Sequence, residues 1–177
     1  AKVGDSFAMY CVPLGRHYGK EEGLSVNISS WTRVSDKAIP PRGKITGSYA
    51  NTCLAKTESA KLGFDEALLL DGNGNIVEGS AENFFMVKNG QLITPPTSAD
   101  ILAGITRNSI IEIAKNELGI EVIEREISKE EIFGADEIFL CGTGSEIAGV
   151  ISVDSKKIGN GKVGEITKKI KGLYFDI

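Results

Sequence analysis

The sequence predicts a mixed α and β protein, and three observations carry that prediction. Short apolar runs rich in Val, Ile and Phe are separated by Asp-Gly and Asn-Gly turns, the signature of antiparallel hairpins. Other segments repeat their apolar residues at helical spacing and end in glycine. Finally, 177 residues with 41% hydrophobic and 25% charged side chains suffice for an ordinary core and do not match a disordered or fibrous chain. No repeat, low-complexity tract or linker interrupts the pattern, so residues 1–177 are read as one domain.

The elements follow in order. Phe7 to Val12 is an apolar run expected to form a buried strand. Because the chain opens at Ala1 without methionine and enters that run almost at once, a preceding domain is expected. Ser48 to Leu62 reads as a helix with Ala50, Cys53, Leu54 and Leu62 as its apolar residues and Gly63 after its end. Ala67 to Leu70, the turn Asp71-Gly72-Asn73-Gly74 and Ile76-Val77 make a hairpin. A second hairpin runs from Phe84 through Asn89-Gly90 to Ile93. Thr106 to Leu118 reads as a helix with Thr106 as N-cap, Ile110, Ile111, Ile113 and Ala114 inward, and Gly119 beyond. Ser128-Lys129-Glu130-Glu131 has the form of a capping box opening a short helix. Glu137 to Cys141 is a strand leading into Gly142-Thr143-Gly144-Ser145, and Gly164 to Tyr174 is a final helix.

Composition excludes several functions. A net charge of −4 argues against a nucleic-acid footprint. No apolar run approaches the roughly 18 residues of a membrane span, and no secretory signal opens the chain, so a cytoplasmic protein is expected. Asn27-Ile28-Ser29 fits a glycosylation sequon, but nothing points to secretion. Cys11, Cys53 and Cys141 are odd in number and contain no C-x-x-C, which leaves no disulfide framework or Cys-only zinc site. His17 is the only histidine, so no multi-histidine metal site is expected.

Some motifs are bland. Gly159-Asn160-Gly161-Lys162-Val163-Gly164 matches G-x-G-x-x-G, yet it has no following βαβ unit and reads as a hairpin turn before the last helix. Lysines 156, 157, 162, 168, 169 and 171 read as a solvated face. Two loops stand out as anion sites. Leu102-Ala103-Gly104-Ile105-Thr106 delivers backbone N–H groups at the start of a helix. Gly142-Thr143-Gly144-Ser145 follows a strand with small residues and two hydroxyls. Lys44 precedes a helix with no adjacent acid, and Glu78 ends a strand in an apolar context where it needs a cationic partner to stay ionised.

Together these segments resemble the fold-type IV pyridoxal-phosphate enzymes. The resemblance rests on Lys44 with Gly47-Ser48-Tyr49, on Asp65 to Asp71, and on Glu78-Gly79-Ser80-Ala81-Glu82-Asn83-Phe84-Phe85. It continues through Ile93-Thr94-Pro95-Pro96, Gly104-Ile105-Thr106-Arg107 and Gly142-Thr143-Gly144-Ser145-Glu146. Within that group the branched-chain amino-acid aminotransferases are the nearest. Ser29-Ser30-Trp31-Thr32-Arg33 and Ile39-Pro40-Pro41-Arg42 resemble their approach to the lysine, and Glu82-Asn83 stands where D-amino-acid aminotransferases and aminodeoxychorismate lyases tend to have Ser-Asn.

The resemblance implies an α/β pseudo-barrel, the C-terminal cofactor-binding domain of such enzymes, with antiparallel pairing in much of the sheet. It implies pyridoxal 5'-phosphate as cofactor, held covalently by Lys44, whose freed amine then moves the substrate proton. Glu78 would pair with the pyridine nitrogen, Tyr49 with the phenolic oxygen, and Ile105, Thr106 and Thr143 with the phosphate. Tyr49 and the Thr143–Gly144 turn would also meet the substrate, the turn taking its α-carboxylate. The implied reaction exchanges the amino group of Leu, Ile or Val with 2-oxoglutarate, in a homodimer or larger assembly. Alternatives are a D-amino-acid aminotransferase, an aminodeoxychorismate lyase, or a fragment that only binds cofactor or dimerises. The family often has tryptophan where Leu14 stands, an aromatic near His17, and two alanines in place of Gly144-Ser145. Its smaller N-terminal domain, with an arginine for the phosphate, would lie upstream of Ala1, so the isolated chain is expected to have negligible transaminase activity.

Overall fold

The computed structural model describes residues 4–13 and 18–175. Among the described residues nine strands form one sheet: β1 Leu24–Thr32, β2 Glu66–Leu70, β3 Ile76–Gly79, β4 Asn83–Lys88, β5 Gln91–Thr94, β6 Val122–Glu124, β7 Glu137–Gly142, β8 Glu146–Val153 and β9 Lys156–Lys157. Their order is β3-β2-β1-β8-β7-β4-β5-β6 with β9 beside β8, and an additional β3–β4 pairing closes six strands into a ring. Helices α1 (Tyr49–Lys61), α2 (Ile105–Asn116) and α3 (Glu165–Phe175) pack outside it. This is the mixed α/β barrel that the sequence implies.

Turn chemistry explains the hairpins. Asn89 and Gly90 both take positive φ (52° and 76°), the geometry that lets a two-residue turn match strand twist. They join β4 to β5 in the expected antiparallel register. Asp71 Oδ1 accepts the N–H groups of Asn73 and Asn75 at 2.8 and 2.9 Å and so folds the β2–β3 turn. Most pairings are antiparallel, but β1 runs parallel to both its neighbours, β2 and β8, and β5 runs parallel to β6.

Strand alternation then separates two apolar faces. One cluster draws Leu24 and Val26, Leu68, Ile76, Phe84 and Met86, Ile138 and Leu140, and Val150 and Val153 from all six ring strands, and it fills the barrel. The residues between them face outward. Phe85, Val87, Phe139 and Cys141 pack against Ile110, Ile111 and Ala114 of α2 and Ile170 of α3. Ala67, Leu69 and Val77 pack against Ala55 of α1 and Ile101.

Several local expectations are corrected. Phe7 to Val12 is no strand: Phe7, Met9, Tyr10 and Val12 are exposed, and the run has no ladder partner among the described residues to satisfy its backbone. The buried face of α1 is Thr52, Ala55 and Ser59, while Cys53, Leu54 and Leu62 are exposed, because small side chains let the helix approach β1 and β2 closely. Thr106 is not an N-cap; that place belongs to Gly104, and the Thr106 hydroxyl lies 3.4 Å from that of Tyr174. Ser128 Oγ accepts the Glu131 N–H at 3.3 Å, but the Glu131 carboxylate turns to Arg125 (2.9 and 2.5 Å). Only half of the box forms, and the helix is one 3-10 turn, Glu131–Gly134.

The Gly159–Gly164 stretch is a turn, though between β9 and α3 rather than within a hairpin. Glu137 accepts N–H groups of Ile166 and Thr167 at 3.0 and 2.8 Å, so a carboxylate already occupies the start of α3 where a phosphate would sit. A Cβ on Gly164 would come within 1.9 Å of the Glu137 side chain, which is why glycine stands there. His17 and Leu14 lie outside the described residues. Among the described residues no helix is long and apolar enough to cross a membrane, and no His, Cys, Asp and Glu side chains gather as a metal site.

Candidate active site

The chain leaving β1 is pinned before it reaches Lys44. Asn51 of α1 donates to the Thr32 carbonyl at 2.9 Å and accepts the Val34 N–H at 3.1 Å, while the Arg33 N–H donates to Leu70 at 2.8 Å. Pro41 then starts a 3-10 turn, Pro41–Gly43, with its ring preset for that φ. Lys44 ends the turn in the left-handed region (φ 48°), its N–H donating to Pro41 at 3.2 Å. For a side chain other than glycine or asparagine this backbone is uncommon and strained.

Glu78 reaches the site through a bulge. Leu70 pairs with Ile76, but Leu69 pairs with Glu78, so β3 carries one extra residue. The bulge moves Glu78 off the barrel interior, where Ile76 sits, to the outer face opposite Leu69. There Arg33 Nε donates to Glu78 Oε1 at 2.7 Å, and both side chains are buried. The Leu102 N–H donates to Glu78 Oε2 at 3.2 Å. Burial pushes the Glu78 carboxyl above the ordinary carboxylate range, and the Arg33 guanidinium pulls it back. Arg33 is thus the cation that Glu78 needs. Its residue type was visible in the sequence, but a contact spanning 45 positions was not.

Two adjoining cavities collect the sequence-predicted residues. The larger, about 410 Å3, is lined by Lys44, Tyr49, Ile105, Thr106, Thr143 and Gly144, together with Ala81, Asn83, Leu102 to Gly104, Cys141 and Gly142. The smaller, about 40 Å3, is lined by Arg33, Lys44, Ser48, Tyr49, Glu78 and Asn83 among others. All seven candidate residues therefore face one region, and the larger space falls in the usual range for small-molecule sites. Ile105 and Thr106 open α2, where first-turn N–H groups have no intrahelical carbonyl. Thr143, Gly144 and Ser145 form the turn from β7 to β8, closed by Glu146 at φ 55°. Arg33 Nη1 is buried and unpartnered among the described residues, a spare donor beside Glu78. A lysine amine, a buried carboxylate with its cation and a helix start suit a ligand with an electrophilic carbon, a basic nitrogen and a phosphate. Burial pushes the Cys141 thiol up, so it lines the space as an inert apolar group.

A second acidic cluster, unforeseen in the sequence, borders the smaller cavity. Lys56 donates to Glu66 Oε2 at 2.5 Å, and the Tyr18 hydroxyl donates to Glu66 and lies 2.9 Å from Glu82 Oε1. Burial and the neighbouring Glu66 push the Glu82 carboxyl up to about 7. Folding therefore takes up a proton between the ordinary value of 4.5 and about 7, and stability falls as pH rises through that window. Urea unfolding at pH 5 and pH 8 is expected to show this loss in the parent, on the order of 1–3 kcal/mol. Glu82→Gln should flatten the profile; an equally steep one would show that Glu82 is not the titrating group.

The barrel and its likeness to known proteins define the class. The chain belongs to the amino-transferase class IV family, whose model matches residues 1–153. Within the family it is similar to branched-chain enzymes. It is 47% identical over 169 residues to the probable branched-chain-amino-acid aminotransferase of Aquifex aeolicus, covering 96% of this chain and 54% of that protein. The solved branched-chain amino acid aminotransferase of Escherichia coli superposes with a TM-score of 0.86 at 44% identity, over 88% of this chain and 52% of that one. The enzyme of Thermobaculum terrenum, solved in its PLP-form, gives 0.87 at 39% identity, over 92% and 53%. The chain spans about half the length of the curated relatives it matches.

Proposed function

We propose that this chain carries the pyridoxal 5'-phosphate site of an enzyme that transaminates branched-chain L-amino acids with 2-oxoglutarate. The observation that carries the reading is the convergence of Lys44, Glu78 and the two anion-binding loops on adjoining cavities, and likeness to branched-chain enzymes supports the substrate class. When bound, pyridoxal 5'-phosphate supplies an electron sink for charge developing at the substrate Cα. Lys44 Nζ holds the cofactor and, once released, takes the Cα proton as general base. Glu78, paired with Arg33, holds a proton on the ring nitrogen. Tyr49 donates to the phenolic oxygen. The N–H groups of Ile105 and Thr106 and the hydroxyl of Thr143 bind the phosphate. The N–H groups of Thr143 and Gly144 take the substrate α-carboxylate, and Tyr49 borders the same space.

The test uses the protein at its full natural length, loaded with pyridoxal phosphate. Glutamate is expected to form from 2-oxoglutarate with L-leucine, L-isoleucine or L-valine as donor. Turnover with D-alanine alone, or lyase turnover without a keto acid, would replace the substrate assignment with one of its alternatives.

A further inference from the structure

A rigid ligand gripped at both ends needs its two grips at a fixed separation. Here the grips are Glu78 on β3 and the loop Gly104–Thr106 at the start of α2, on elements with no shared backbone. One residue, Leu102, joins them. The Leu102 N–H donates to Glu78 Oε2 at 3.2 Å, and the Leu102 carbonyl accepts from Asn83 Nδ2 at 2.8 Å. The same Nδ2 lies 3.5 Å from Glu78 Oε2. Asn83 is itself held at the seam that closes the barrel, paired with Glu78 on one side and Cys141 on the other. It is only 7% exposed. On its far side the loop lies so close that a Cβ on Gly104 would stand 2.3 Å from Asn83 Oδ1. An aspartate there would lose the donor to Leu102 and set a second carboxylate beside Glu78; an alanine would leave the Leu102 carbonyl without its partner.

We propose that Asn83 is a positioning residue that sets the span between the Glu78 carboxylate and the Gly104–Thr106 cradle through the Leu102 backbone. The proposal rests on the cofactor reading above. Its signature is selective: a ligand using both ends loses affinity, whereas a ligand using one end does not, because each grip survives and only their separation relaxes.

Three probes separate these cases in the full-length protein: pyridoxal phosphate for both ends, inorganic phosphate for the cradle and pyridoxal for the ring end. Binding is read by absorbance for the aldehydes and by 31P resonance for the phosphates, with unfolding midpoints as the check on folding. Asn83→Ala is expected to weaken pyridoxal phosphate about ten- to hundredfold while changing phosphate and pyridoxal by less than about threefold. Asn83→Ser is the second variant should the alanine protein not fold. Equal loss of all three ligands, or no loss of pyridoxal phosphate, overturns the proposal while the cofactor reading stands. A parent protein that binds no pyridoxal phosphate removes both.

Discussion

Lys44→Ala is expected to abolish covalent capture of pyridoxal phosphate and to lower transamination by roughly a thousandfold or more, since nucleophile and base are one group. Borohydride reduction of the parent should fix the cofactor mass on the peptide containing Lys44, and the same treatment of the variant should fix none. Stability should change by less than about 1 kcal/mol, because the side chain is exposed and alanine inherits the same left-handed backbone (φ 48°). Label found on another lysine in the parent would overturn the assignment. The strained backbone at Lys44 also makes a physical point. The two prolines and Gly43 force a tight turn that throws the lysine into the cavity, where a relaxed loop would let it wander.

The second large effect concerns Arg33. Removing one partner of a buried ion pair leaves the other charge uncompensated, which costs about 3–5 kcal/mol. Arg33→Leu is therefore expected to lower the melting temperature by roughly 6–20 °C for a chain of this size. Arg33→Leu combined with Glu78→Leu should recover most of that loss, since two apolar side chains can replace a buried pair without penalty. The double variant would nonetheless stay inactive, having no carboxylate to hold the ring proton. Calorimetry of the single and double variants checks the first statement and turnover the second. A double variant less stable than Arg33→Leu would mean that Glu78 is held by its hydrogen bonds to Leu102 and Asn83 more than by the cation.

Much of the fold was legible because its signals are local. Asn89-Gly90 and Asp71 to Gly74 announce hairpins through positive φ and side-chain turns. Ile110, Ile111, Ile113 and Ala114 announce the inner face of α2 by spacing alone. The candidate residues Lys44, Tyr49, Glu78, Ile105, Thr106, Thr143 and Gly144 were picked out differently, through the order of short motifs rather than through any property of each residue, and the fold brings them to adjoining cavities. What escaped was non-local. Strand β1 has polar Asn27 and Ser29 buried in its middle and runs parallel to both neighbours, so no hairpin turn joins it to either. The run Phe7 to Val12 misled for the opposite reason: a continuous apolar run marks a surface ready to be covered, and a strand forms only where a neighbour supplies its hydrogen bonds.

The sequence by itself determined the mixed class, the hairpins, the main helices and the set of residues proposed to carry the chemistry. Only the tertiary structure decided which faces they share. Alternation would send Glu78 into the barrel with Ile76, and one inserted residue in β3 turns it outward to Arg33 and Asn83 instead. The ring closes at that same Glu78–Asn83 pairing, so the seam of the barrel becomes the floor of the site. A bulge, a closure and a buried ion pair each depend on partners far along the chain, and no local pattern encodes them.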